Sequence, residues 1–366
     1  RRGCPASSAA FTVSGKKNAQ ESRLFRFGFP VKWYTMSSIR KVACTSHKFF
    51  QFFCASIMSN IQALLPACGT GRPQAAIFLS GSGSNAEQIL RRYQAEAQGG
   101  RRPGFDLAAI VTDAPQTSRA RQLAQEYGLP LVAEDIREFY HRNGQKRVSI
   151  ATAEGQQLRA QWTDRLRRQL EPMRITFGIF AGFVPLTNLT ADFPCLNVHP
   201  GDLTCRRDGR RLLVGLHEVP IERAILEGMD CLRSSVILAG AYTGKGDDMD
   251  NGPLLGISPP VAVDLDGAHL AQLRAVAAGR PAARPAGGFH DERQQFAAQC
   301  QERLKEGGDW VVFPPVIWDF ADDRFHLDLD SGRLLFRMGS GRLTPIETVE
   351  YGAGGRRELV FPGAEG

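Results

Sequence analysis

Ala75-Ala76-Ile77-Phe78-Leu79-Ser80 runs directly into Gly81-Ser82-Gly83-Ser84-Asn85 and then into a stretch of helical periodicity ending near Gln98. A short apolar run reads as a buried strand, and the glycines allow a tight turn before the helix. A strand–turn–helix unit of this kind opens an α/β fold, and the alternation continues along the chain. Leu107–Thr112 reads as a strand, Ser118–Tyr127 as a helix closed by Gly128-Leu129-Pro130, and Leu131–Ala133 as a short strand. Ala151–Leu170 holds Leu158, Trp162, Leu166 and Leu170 at a spacing of four, which predicts an amphipathic helix. Ile175–Ala181 and Cys195–Val198 are further apolar strands. Pro220–Glu227 predicts a helix stopped by Gly228, Ser234–Tyr242 and Leu254–Ser258 later strands, and Asp291–Glu306 another helix. Trp310–Phe320 and Asp328–Leu335 are apolar or alternating, and the tail from Gly339 is turn-rich. The expected fold is α/β, a mostly parallel, Rossmann-like doubly wound sheet with a C-terminal extension.

Charge divides the chain. Residues 1–72 carry 11 Lys/Arg against one acid, Glu21, for a net +10. The other residues carry 34 Lys/Arg against 37 acids, for a net −3. The expected folded part is therefore near neutral, which argues against nucleic-acid binding. Residues 1–72 read as a disordered leader, either transit-like or the product of an over-extended translation start with Met36 or Met58 as the real one. The expected location is cytoplasmic, or an organelle (plastid or mitochondrion) if the leader is a transit peptide. Residues 73–326 form the expected catalytic domain, interrupted by an Ala/Arg/Pro/Gly-rich insertion near 266–290, and residues 327–366 a strand-and-turn extension. The eight cysteines include no CxxC pair and match no zinc spacing, and no metal is expected. No apolar run approaches the length of a membrane span.

Two stretches carry chemistry. In Cys195-Leu196-Asn197-Val198-His199-Pro200 the period of a strand sets Asn197 and His199 on one face, and the proline ends the ladder. Asp250-Asn251-Gly252-Pro253 is turn-rich and can return a carboxylate to the imidazole. An amide to hold an oxyanion, an imidazole to move a proton and a carboxylate to orient it suffice for acyl transfer without a covalent intermediate. Pairing with Asp250 is expected to raise the His199 pKa and keep the ring protonated near neutral pH. The turn at Gly83, Ser84 and Asn85 has the outline of a phosphate cradle, with side-chain donors added by Ser84 and Asn85. The same letters fit a dinucleotide fingerprint with Asp113 as the ribose-binding acid, or a plain turn with Asn85 as helix N-cap.

These motifs, in this order, resemble the folate-dependent formyltransferases, and within them the phosphoribosylglycinamide formyltransferases of purine synthesis. Ile77–Asn85 resembles their phosphate-binding loop and Ala181-Gly182-Phe183 the strand end beside the folate. Leu196–Pro200 resembles the catalytic strand and Asp250–Leu254 the aspartate loop. Pro220–Ile225 is similar to a helix of the wider superfamily, and Val316–Asp322 to the closing helix. The resemblance implies formyl transfer from 10-formyltetrahydrofolate, as co-substrate, to the primary amine of phosphoribosylglycinamide. It implies Asn197, His199 and Asp250 as catalytic residues and Gly83, Ser84 and Asn85 at the substrate phosphate. Val184, Pro185, Leu186 and Thr187, with Asn197, would then line the folate site. Small-molecule partners alone are implied, with no nucleic acid and no membrane.

The chain departs from that pattern in three places. Leu232 replaces a histidine expected near the reacting centre, and Pro185 an arginine of the folate segment. Arg206, Arg207, Arg210 and Arg211 replace a Leu-Pro stretch, and suit either a phosphorylated acceptor or a solvated loop. His217 reads as a surface-loop histidine. The alternatives are a formyltransferase for another amine (an amino sugar or an aminoacyl-tRNA), an NAD(P)-binding oxidoreductase, or an inactive relative.

Overall fold

The computed structural model describes residues 60–69, 71–216, 218–240, 250–265, 267–282, 285 and 287–362. All of them belong to one unit, Ile57–Gly366. Strand β1 (Ile61–Ala63) precedes β2 (Gln74–Phe78), and α1 (Ser84–Gln98) follows the glycine turn. Then come β3 (Asp106–Thr112), α2 (Ala120–Tyr127), β4 (Leu131–Ala133), α3 (Ile136–Arg142), α4 (Ala153–Leu170), β5 (Phe177–Phe180) and β6 (Cys195–His199). A hairpin of β7 (Arg206–Arg207) and β8 (Arg210–Arg211) leads to α5 (Val219–Glu227), β9 (Cys231–Leu232), β10 (Ser235–Leu238), β11 (Leu254–Ile257) and β12 (Val261–Ala262). Helices α6 (Leu270–Ala278), α7 (Glu292–Leu304) and α8 (Trp310–Ala321) follow. The chain ends in β13 (Phe325–Asp328), β14 (Leu334–Arg337), β15 (Leu343–Ile346), β16 (Thr348–Tyr351) and β17 (Arg357–Val360).

The main sheet has nine strands in the order β17-β16-β11-β10-β6-β5-β2-β3-β4. Strands β4, β3, β2, β5 and β6 are parallel, β10 and then β11 join antiparallel, and β16 pairs in parallel with β11. This is the expected mostly parallel α/β class. Both faces are covered, as a parallel sheet requires. Successive residues of β2 show why: Ala75 and Ile77 point into a core with Ile89, Leu90, Phe313 and Val316, while Ala76 and Phe78 point into one with Tyr140, Trp162 and Leu166.

Three expectations about organisation need correction. The first is the 1–72 leader: Ile61–Ala63 is a strand paired antiparallel with Phe325–Asp328, so the fold begins before residue 73. Residues 1–59 lie outside the described residues. The second is the tail, which is built into the fold rather than appended to it. Strands β16 and β17 widen the main sheet, while β13, β14 and β15 form with β1 a second sheet of four strands. The third is the insertion near 266–290, which contains α6, with Leu273 fully buried among Ile221, Ile225 and Cys300. Alanine and leucine supply the helix there. Arg280 grips Asp291 through Nε and Nη2 (2.6 and 2.5 Å) and reaches Glu222 on α5 through Nη1 (2.6 Å).

Arg280 holds the Asp291 carboxyl down from 3.8 to about 2, against the opposing effect of burial. The stabilisation from this pair is therefore complete above about pH 4 and is lost as the pH falls through the folded-state value. Asp291→Asn is expected to cost of order 1–2 kcal/mol at neutral pH. Urea unfolding at successive pH values checks this: the gap between wild type and variant should close between about pH 4 and 2.

Candidate active site

Strands β2, β5 and β6 end on the same edge of the sheet. The chain runs from β2 outward to β3 and β4 and returns to β5 on the other side, so a crevice opens where the direction of winding reverses. A cavity of about 320 Å³ occupies that place. Its walls include the turn Ser80–Asn85, the loop Ala181–Val184, the strand end Asn197–Pro200, Gly215, Asp250 and, from the other side, Gln301, Lys305 and Asp309.

The glycine turn is shaped by sterics. Gly83 sits at φ 68°, and a Cβ there would meet Leu123 Cδ1 at 2.9 Å and Leu79 Cδ1 at 3.0 Å. Gly83 is also the N-cap of α1 and gives it no side-chain cap, so the first N–H groups of a 15-residue helix face the cavity with the positive end of its dipole. Ser80 ties the walls together: its Oγ donates to buried Asp113 (2.5 Å) and accepts the Val184 N–H (2.9 Å). Burial raises the Asp113 pKa against that hydrogen bond. Asp113 is thus enclosed and already bonded, a poor place for the ribose of a dinucleotide. Asn85 is neither the N-cap nor a free donor. Its Nδ2 donates to Asp309 Oδ2 (2.9 Å), and its Oδ1 is enclosed without a hydrogen bond among the described residues. The cradle therefore offers backbone N–H groups and Ser84, with the Asn85 amide committed elsewhere.

On β6, Asn197 and His199 point the same way, as the strand period demands, and both line the cavity. His199 is 3% exposed. Its Nε2 lies 2.6 Å from the Leu213 carbonyl oxygen, which can only accept, so Nε2 carries a proton. Nδ1 faces Asp250 Oδ1 at 3.9 Å, beyond hydrogen-bond reach. Asp250 in turn receives the Gly215 N–H on Oδ2 (3.4 Å). The expected charge state of His199 is corrected here: burial lowers its pKa and outweighs the attraction of Asp250, while Arg211 lowers it further. The resting ring is neutral, with an unprotonated Nδ1 turned toward Asp250.

Val184, Pro185 and Leu186 line a smaller, apolar cavity of about 140 Å³ with Phe180, Phe183, Asn197, Leu216 and Asp250. Phe183 stacks on Trp162 at 6.3 Å and 18°, which packs that wall against the core. Arg159, buried, holds the Leu186 carbonyl (2.7 Å). Thr187 is not brought to either cavity: it is fully buried, caps a 3₁₀ turn and pairs with Thr163 (3.3 Å). Leu232 lines neither cavity and is buried in the core under α5 and α7, with Leu213 and Ile221. His217 lies outside the described residues.

Sequence reasoning missed Gln301, Lys305 and Asp309. They come from α7 and a π-helical turn, Lys305–Asp309, that joins it to α8. Asp309 is buried and accepts from Ser234 Oγ (2.5 Å) as well as from Asn85; burial raises its pKa against both bonds. The available signal was Gly307-Gly308 interrupting a helical pattern, since a Cβ on Gly308 would meet Ser234 Oγ at 2.5 Å.

No protein-family model and no curated protein matches the chain. Among solved structures it is similar to phosphoribosylglycinamide formyltransferase from Anaplasma phagocytophilum (16% identity, TM-score 0.47, 77% of this chain and 100% of that one). It is similar also to glycinamide ribonucleotide transformylase 1 from Symbiobacterium toebii (19%, 0.43, 70% and 91%). A third is formyltetrahydrofolate deformylase from Burkholderia mallei (17%, 0.41, 73% and 71%). At these identities and TM-scores the likeness says nothing of chemistry, which has to come from the site. No helix among the described residues is long and apolar enough to cross a membrane.

His199 is expected to titrate below the free-imidazole value of 6.5. Asp250→Asn, which removes the attraction that raises it, is expected to shift it lower still. Histidine ring resonances followed by NMR against pH check both shifts; a value above 6.5 in the wild type would overturn the neutral resting ring.

Proposed function

We propose that the chain transfers a formyl group from 10-formyltetrahydrofolate to the primary amine of a phosphorylated acceptor, phosphoribosylglycinamide in the first instance. The observation that carries this reading is the meeting of Asn197, His199 and Asp250 on one wall of a cavity whose far wall is an uncapped helix N-terminus beside Lys305. One wall suits a reacting carbonyl and the other an anionic handle. The adjoining apolar cleft, walled by Phe180, Phe183, Val184 and Leu186, suits a flat heteroaromatic donor.

The amine nitrogen attacks the formyl carbon, and charge builds on the formyl oxygen. The Asn197 side-chain amide donates to that oxygen. Neutral His199 takes the proton that the amine loses at Nδ1, and the carboxylate of Asp250 steadies the imidazolium so formed. As the bond from the formyl carbon to the folate nitrogen breaks, the same proton passes to that nitrogen, giving tetrahydrofolate and the formylated amine. Nothing is oxidised or reduced, and His199 returns to its starting state. Its bond to the Leu213 carbonyl fixes the tautomer that makes it a base.

The first test is appearance of tetrahydrofolate from 10-formyltetrahydrofolate and phosphoribosylglycinamide. Asn197→Ala is expected to lower kcat about 10²–10³-fold, the usual cost of one oxyanion donor. His199→Ala and Asp250→Ala are expected to abolish measurable transfer while the protein stays folded. Near-wild-type rates in both would refute the mechanism. Folate binding without turnover would point to another amine, and no folate binding would reject the reading. Lys305→Ala should raise KM for the acceptor about tenfold and leave KM for the donor unchanged, consistent with loss of one charge-assisted contact.

A further inference from the structure

We infer that Arg211 is a positioning residue that staples the Asp250 loop in place for transfer, an inference that rests on the reading above of Asp250 as the partner of His199. The four arginines of the β7–β8 hairpin invite assignment to a substrate phosphate, but their contacts divide them. Arg207 pairs with Glu227 on α5 (2.7 Å). Arg206 and Arg210 are exposed. Arg211 alone turns inward, donating from Nη1 to the Asp250 carbonyl and from Nη2 to the Gly252 carbonyl (2.9 Å).

That pattern is specific to a guanidinium. Two donors in a rigid planar fork reach two carbonyls two residues apart, a fixed geometry that the flexible point charge of an ammonium does not impose. The loop between them has little freedom on its other side, since a Cβ at Gly252 would lie 1.7 Å from the Leu238 carbonyl oxygen. Backbone is thus held between Arg211 and β10, and the Asp250 side chain it carries accepts the Gly215 N–H at 3.4 Å and stands 3.9 Å from His199. The hairpin is itself anchored, because Leu212 donates its N–H to Cys205 (2.9 Å) and its carbonyl accepts from Arg223. Arg211 lines neither cavity of the site, so it sets where Asp250 sits without touching what reacts.

The test uses the full chain with Arg211→Met, Arg211→Lys and Arg211→Ala. Arg211→Met is expected to lower kcat about a hundredfold, as a displacement of ~1 Å at a reacting group does, with KM for both substrates unchanged. Arg211→Lys should recover part of the rate, and added guanidinium ion should rescue Arg211→Ala. Backbone hydrogen exchange over 250–256 should quicken in Arg211→Met while β2 and β5 keep their protection. Wild-type kcat and exchange in Arg211→Met would overturn the inference, and so would faster exchange throughout β2 and β5, the mark of general destabilisation. A wild type that transfers no formyl group would refute the proposed function alone; the exchange at 250–256 would still decide the staple.

Discussion

One change of winding direction governs this molecule. The chain leaves β2 toward β3 and β4, then comes back to add β5 and β6 on the opposite side. Helices must then cover both faces, and the two apolar faces of β2 divide the core accordingly. The same reversal parts the loops that follow β2 and β5 and leaves a crevice at the carboxyl ends of the strands. Three parts of the site hang from the rim of that crevice: the glycine turn, the Ala181–Val184 loop and the Asn197–His199 strand end. The antiparallel entry of β10 beside β6 closes the other flank, where Ser235 lies opposite His199.

Within the crevice, burial decides the charge states more than pairing does. His199 has a carboxylate near it and still loses affinity for protons, because the ring is enclosed and the carboxylate is 3.9 Å away. Asp309 is enclosed too, and two hydrogen bonds do not offset the loss of water. Burial thus disfavours the charged form of both groups, the mark of a desolvated crevice.

Most of the fold was legible because its signals are periodic and local. Trp162, Leu166 and Leu170 recur on one helical face, and they form one side of the core. Gly228 stops α5 at φ 77° as its sequence implied. The site was legible in its members on strands, where period 2 fixes direction: Asn197 and His199 are side by side. It was less legible where a side chain has competing partners. Asn85 and Arg211 both read as anion binders from residue type, yet one is bonded to Asp309 and the other to backbone carbonyls. No local pattern announces such contacts, because the partners lie 224 and 39 residues away. Nor does the Ala/Arg/Pro/Gly-rich composition of the insertion announce α6, whose buried Leu273 becomes meaningful only once α5 and α7 lie against it.

The pairing of β1 with β13 sets a condition on how the molecule comes together. Ile61 lies opposite Asp328, so one of the first described strands waits for one of the last before its backbone groups are bonded. Closing a loop of that length adds only slowly to the entropic cost, growing with the logarithm of the number of residues. Its kinetic cost is larger, since distant pairings of strands slow folding. During synthesis the partner of β1 is therefore missing until β13 has left the ribosome, and the main sheet likewise waits for β16 and β17, which come later still.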